Sequence, residues 1–175
     1  MGTWQTIDNA LRRINWVLAT LGALLLFGMN VVVVFDVIMR YAFNNATVWA
    51  DDIARYTLVY VIFFGIALAL HDGVHVSVDV FLELFDQRTV RILRLIGFVV
   101  VAAFGAVLTW QTAVITIDAI RLNWVSSSLL AVPMKLVYPA GTIGSLLFTL
   151  TAVSMGVRFA LSPRIAEASV PRSEY

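Results

Sequence analysis

The residues best placed to do chemistry cluster where the second apolar segment of the chain begins. Asp51 and Asp52 precede Arg55 by four and three residues, a spacing that lets acidic and basic side chains pair on one helix. Charges at the edge of a hydrocarbon layer are costly, so they suggest a function. An ordinary helix start, capped by Thr47 and anchored at the interface by Trp49, is the alternative. Because the apolar run that follows is short, we favour a buried polar junction that locks helices together or meets a partner protein.

The two histidines are the next candidates. His71 and His75 lie four residues apart, which suits a metal pair on one helix face or a haem ligand. Two ligands are too few for a structural zinc site, and a haem held by two histidines draws them from different helices. The chain has no cysteine, which excludes disulfides, thiolate metal sites and thiol catalysis. We therefore expect no metal and no cofactor. No nucleophile–base pair or phosphate loop predicts an enzyme.

The composition places these residues in a membrane protein. The chain has 175 residues, of which 61% are hydrophobic and 13% charged, and its mean hydropathy is +0.89. A soluble domain is about half apolar and about a quarter charged. The net charge of +1 and the lack of a basic stripe argue against a nucleic-acid partner.

Four charge-free windows predict the architecture. They contain 22, 16, 23 and 22 residues, at positions 14–35, 56–71, 95–117 and 136–157. A helix of 22 residues is about 33 Å long, enough to cross a hydrocarbon core of about 30 Å. The second window reaches only about 24 Å, so its helix must begin near Trp49 and include the charged cluster. We predict an all-α integral membrane protein with four transmembrane helices, at about 14–39, 48–70, 92–117 and 136–158. Residues 1–162 would form one membrane domain and residues 163–175 a cytoplasmic tail.

Two further segments are amphipathic. Residues 1–15 form either a short interfacial helix or an early, frayed start of the first span. Residues 76–86 are predicted to form a short amphipathic helix at the inner surface, between spans two and three. Arg88, Arg91 and Arg94 follow it and are well placed for lipid phosphates.

The basic residues also predict the orientation. With the N-terminus inside, eight arginines lie on the cytoplasmic side, and three arginines and one lysine lie outside. This asymmetry favours both termini in the cytoplasm. Asp36 and Arg40 would then pair near the outer interface, at a spacing of four residues. Gly65 and Ala69 have the spacing of small residues that allow helices to pack closely.

The span interiors contain no ionisable residue. Transporters and channels usually need polar groups or broken helices at the midplane. The residues alone therefore predict an accessory or scaffold subunit of a larger membrane partner.

Three stretches resemble the small membrane subunit of tripartite ATP-independent periplasmic (TRAP) transporters. They are Arg40-Tyr41-Ala42-Phe43-Asn44 followed by Trp49, Asp51, Asp52, Ala54 and Arg55; Phe64-Gly65-Ile66-Ala67 leading into His75-Val76-Ser77-Val78-Asp79; and Ser128-Leu129 with Pro133, Tyr138 and Gly144. The resemblance implies a subunit of the bacterial inner membrane. Its partners would be membrane lipids, a large multi-span subunit with substrate and sodium sites that moves as an elevator, and a periplasmic binding protein that delivers an organic acid.

By the same resemblance, one cluster near the outer face would be structural or would dock a partner. It consists of Arg40, Trp49, Asp51, Asp52 and Arg55. His75 and Asp79 would form a second cluster at the inner face, and no residue is assigned to substrate.

Two alternatives from other classes remain. One is a haem-bearing anchor of a membrane redox enzyme, for which a Soret band in the visible spectrum would be diagnostic. The other is a self-assembling four-helix membrane scaffold, which would be stable and monodisperse without a partner.

Overall fold

The part of the chain that the structure describes forms four long helices. The computed structural model describes residues 2–45, 47–71, 87–128 and 130–161. The helices are α1 (Gly2–Ala42), α2 (Ala50–His71), α3 (Gln87–Arg121) and α4 (Met134–Leu161). All four are long and apolar enough to cross a membrane, and the described residues contain no strand beyond one isolated bridge. The predicted all-α, four-span class is confirmed.

The helix α1 is longer than a membrane is thick. Its 41 residues run without a break from Gly2 and span about 62 Å. Residues 2–15 are therefore the first turns of α1 and not a separate interfacial helix. The amphipathic helix predicted for residues 76–86 and the tail at 163–175 lie outside the described residues.

The helices are arranged as a row in the order α1, α2, α4, α3. Helix α2 packs between α1 and α4, α4 packs between α2 and α3, and α1 also touches α4. In α4, 44% of the span is buried, against 6% in both α1 and α3. Helix α4 is thus the centre of the chain, while α1 and α3 are its edges.

Two glycines let α4 pack closely with its neighbours. A Cβ atom at Gly144 would overlap the backbone carbonyl of Phe63 in α2. A Cβ atom at Gly105 in α3 would lie 2.7 Å from the hydroxyl oxygen of Thr149. Gly65 has no neighbour within 4 Å of such an atom, so the close approach that its spacing with Ala69 allows is not made among the described residues.

Hydroxyl pairs join α3 to α4 along the same interface. Their oxygens lie 2.9–3.1 Å apart, and the pairs are Thr109 with Thr149, Thr112 with Ser145, and Thr116 with Thr142. A fourth polar contact links α1 to α4, where the side-chain nitrogen of Asn15 donates to the Thr151 hydroxyl at 2.9 Å. In an apolar solvent these groups need partners, and the row supplies most of them internally.

Candidate docking site at the loop end

The predicted cluster lies at the end of the row that carries the α1–α2 and α3–α4 connections, here called the loop end. Within the loop end, Asp36 accepts the most hydrogen bonds. The Arg40 guanidinium donates to one carboxylate oxygen at 2.7 Å, and the backbone N–H of Thr47 donates to the other at 2.8 Å. The Thr47 hydroxyl donates to the same second oxygen. The predicted Asp36–Arg40 pair is present, and it also fastens the loop that follows α1.

Thr47 does not cap α2 as expected. Helix α2 begins at Ala50, three residues later, and the Thr47 hydroxyl is engaged by Asp36 instead. Helix α1 ends just before two asparagines. Asn44 has a φ of 50°, in the left-handed region that asparagine tolerates, and the Asn45 N–H bonds the Met39 carbonyl at 3.0 Å.

The aspartates that open α2 differ from each other. Asp51 is exposed and within electrostatic reach of Arg40, whereas only 5% of Asp52 is exposed. Asp52 makes no hydrogen bond or ion pair with any residue of the described chain. Arg55 is exposed and pairs with neither aspartate. The charge-balanced helix start expected from their spacing is therefore not formed within this chain.

An aromatic contact joins α1 to the start of α2. Trp49 stacks on Phe35 of α1, with ring centroids 6.1 Å apart and ring planes 27° apart. About a third of Trp49, 37%, remains exposed. The stack ties the first turn of α2 to α1 and leaves one side of the indole free for a lipid or protein contact.

The α3–α4 loop is fastened to α2 by a second set of polar contacts. The Tyr56 hydroxyl donates to the hydroxyl of Ser126, which in turn donates to Ser128 at 2.8 Å. Trp124 packs edge-on against Tyr138, with ring centroids 6.5 Å apart. This loop is therefore a folded part of the loop end.

The structure brings together only part of the predicted set. Arg40, Trp49 and Asp51 share the loop end, with Asp52 buried beneath and Arg55 one turn further along α2. His75 and Asp79 lie outside the described residues.

Sequence reasoning missed two contacts, those of Thr47 with Asp36 and of Tyr56 with Ser126. A threonine in a short loop after a helix-end carboxylate was a weak signal for the first. The second joins residues 70 positions apart and left no local signal. In the part of the chain that the structure describes, no three His, Cys, Asp or Glu side chains are grouped to hold a metal.

Comparison with known proteins identifies the family to which the chain is similar. The model of the DctQ component of tripartite ATP-independent periplasmic transporters matches residues 29–161. Two Haemophilus influenzae proteins described as TRAP transporter small permease proteins are also similar. One is 32% identical over 83 residues, or 47% of this chain and 52% of the relative. The other is 29% identical over 77 residues, which cover 44% of this chain and 47% of that relative. The matched segments thus span about half the length of these relatives.

A longer protein is similar as well. The sialic acid TRAP transporter permease protein SiaT of Haemophilus influenzae is 23% identical over 137 residues, which cover 73% of this chain and 22% of SiaT. The DctQ match begins at residue 29, within α1, and ends at the last residue of α4, so it contains three of the four spans and the C-terminal third of α1. The chain therefore belongs to the DctQ component family of the TRAP transporters, and its four apolar helices fit a multi-pass protein of the bacterial inner membrane.

Proposed function

We propose that this chain is the small membrane subunit of a TRAP transporter and that it braces a larger multi-span permease subunit. The observation that carries the proposal is the match to SiaT, in which the similar segment makes up only 22% of a permease chain. The rest of that permease lies outside the similar segment. The large subunit that we propose would be similar to it.

The architecture supports a bracing role. The central parts of the four helices carry no Asp, Glu, His, Lys or Arg, and the hydroxyls between α3 and α4 are paired with one another. A row of this kind offers no polar route for a substrate across the hydrocarbon core. Its edge helices expose apolar side chains along their length, which a larger permease can use to widen its footprint in the membrane. The sodium-coupled elevator movement and the organic acid site would belong to that permease.

The loop end would help dock a periplasmic binding protein. Its exposed Arg40, Asp51 and Arg55 present both signs of charge, and Trp49 adds a partly exposed aromatic ring. Mixed charges around an aromatic side chain are typical of protein interfaces. This role requires the loop end to face the periplasm and both termini to face the cytoplasm. His75 and Asp79 remain a predicted cluster at the opposite, inner face.

The test is purification of the tagged chain from native membranes in mild detergent, with mass spectrometry of its companions. We expect a stoichiometric multi-span protein similar to the part of SiaT that this chain lacks. Reconstituted with a periplasmic binding protein, the complex should take up an organic acid in a sodium gradient, and vesicles with the large subunit alone should not. Recovery of this chain alone, in detergents that preserve other complexes, would refute the proposal and favour a self-assembling scaffold.

A further inference from the structure

Helix α1 exposes an amide where the surroundings are apolar. Asn30 lies six residues before Asp36 and ten before Arg40, or about 9 Å and about 15 Å along the helix from those charges. Its side-chain nitrogen donates to the Leu26 carbonyl at 2.8 Å. The remaining N–H and the amide oxygen have no partner among the described residues.

Lipid tails cannot satisfy these groups. A polar side chain that points away from its own bundle at this depth costs free energy unless another helix hydrogen-bonds to it. Side chains of this kind mark helix–helix contacts in membranes. The amide of Asn30 therefore indicates that this flank of α1 is covered by protein.

Asn30 lies at the middle of a continuous exposed seam. Its residues recur at alternating intervals of four and three, the spacing that places side chains along one line facing a second helix, and every member is exposed. Its members are Trp16, Thr20, Ala23, Phe27, Asn30, Val34, Val37 and Tyr41. It is about 38 Å long, which matches a helix that crosses the whole membrane. A single asparagine within such a seam fixes the register and the choice of partner.

We propose that this seam of α1 binds a transmembrane helix of the large permease subunit, and that this helix carries a hydrogen-bonding side chain at the depth of Asn30. The inference rests on the proposed function. Two observations favour this occupant over a second copy of the chain. In SiaT the similar segment shares its polypeptide with the rest of the permease, so permease helices are its neighbours. The seam also ends at Tyr41, next to Arg40 in the predicted docking cluster.

The other edge of the row provides a matched control. Gln111 of α3 is exposed and lies ten residues from Arg121, as Asn30 lies ten residues from Arg40. It forms no hydrogen bond within the described chain, and α3 lies at the edge furthest from α1. Gln111 therefore tests the same kind of exposed amide at the same spacing on the opposite edge. The predicted docking cluster adjoins the α1 edge and not the α3 edge, so the inference assigns the permease to the side of Asn30.

The experiment places a photo-crosslinking amino acid at position 30 or 111 of the full-length chain in native membranes. We expect position 30 to give an adduct with the large permease subunit, identified by mass spectrometry from its similarity to the part of SiaT absent here. Position 111 should give none. In parallel, Asn30→Leu should lower recovery of the large subunit about three- to tenfold, the range expected for one interhelical hydrogen bond. Gln111→Leu should change recovery by less than about twofold.

The isolated Asn30→Leu chain should unfold at the wild-type temperature, because Asn30 bonds only its own helix. An adduct between two copies of this chain at position 30 would overturn the inference. So would an adduct at position 111 alone, no adduct at either position, or equal recovery of the two leucine variants. In each of these cases the wild-type chain would still recover the large subunit, so the proposed function would stand. If the wild-type chain recovers no large subunit, the proposed function fails and the seam has no such partner.

Discussion

Two buried carboxylates at the loop end have opposite surroundings. Asp36 and Asp52 are each only 5% exposed. Asp36 accepts hydrogen bonds from Arg40 and from the backbone and side chain of Thr47, whereas Asp52 has no partner in the described chain. Burial of a charge is costly unless it is paired, and among the described residues only the first carboxylate is paired. The difference separates a carboxylate that fastens the α1–α2 loop from one that no described residue pairs.

Removal of the completed carboxylate should have the largest effect. Asp36→Ala leaves the Arg40 guanidinium and the Thr47 N–H without an acceptor and frees the α1–α2 loop. We expect the unfolding temperature of the isolated chain to fall by several degrees, and the recovery of the large subunit to fall with it. Arg121→Ala, which removes an exposed charge at the same end, is the control and should leave both unchanged. An unaltered unfolding temperature for Asp36→Ala would show that the cluster does not hold the loop.

The aspartates of α2 should behave in the opposite way. Replacement of both Asp51 and Asp52 by Ala removes no hydrogen bond to another described residue, so the unfolding temperature of the isolated chain should change little. If these side chains meet a partner, recovery of the large subunit or organic acid uptake should fall about tenfold, as for loss of a charged contact worth about 1.4 kcal/mol. Lys135→Ala is the matched control, because it removes an exposed charge from the same end of α4. Complex yield and uptake equal to wild type would count against a docking role for the pair.

Substitutions of Thr47 measure how much its hydroxyl, as distinct from its backbone N–H, contributes to the stability of the Asp36 site. Thr47→Ala removes the hydroxyl but keeps the backbone N–H that reaches Asp36. We expect a fall in unfolding temperature that is a fraction of the fall for Asp36→Ala. Thr47→Ser keeps a hydroxyl and should restore most of the loss. A serine variant as unstable as the alanine variant would assign the effect to the lost methyl group, and the hydroxyl would then contribute nothing.

The predictable parts of this molecule are those set by local spacing. Apolar windows about 22 residues long have few alternatives to membrane helices, so the four helices followed directly. The Asp36–Arg40 pair followed from its spacing of four residues on one helix face. The turn at Asn44 also depends on a local preference, because asparagine tolerates a left-handed backbone.

The remaining contacts depend on how distant segments meet. Thr47 reaches Asp36 across a loop whose path the sequence pattern does not specify. Its short polar side chain would have suited a helix cap equally well, so the sequence did not distinguish the two roles. The contact of Tyr56 with Ser126 depends on the packing order of the helices. That order depends on shape, such as the approach of Gly144 to Phe63, and hydropathy carries no information about it. The pairing that the spacing allows between Arg55 and Asp51 or Asp52 is not formed, because helix spacing permits an ion pair without requiring one.

The smallest effect should come from neutralising Asp52 alone, and its sign is the most informative. Asp52→Asn keeps the shape of the side chain and removes a buried charge that has no partner in the described chain. Replacement of a poorly compensated buried charge is neutral or stabilising, so the isolated chain should unfold at the wild-type temperature or slightly above it. Recovery of the large subunit should fall, because a partner that donates to the carboxylate loses its charge-assisted bond. Asp36→Asn is the matched variant and should lower the unfolding temperature of the isolated chain. If both asparagine variants destabilise the isolated chain alike, Asp52 has a partner within this polypeptide and the contrast between the two carboxylates does not hold.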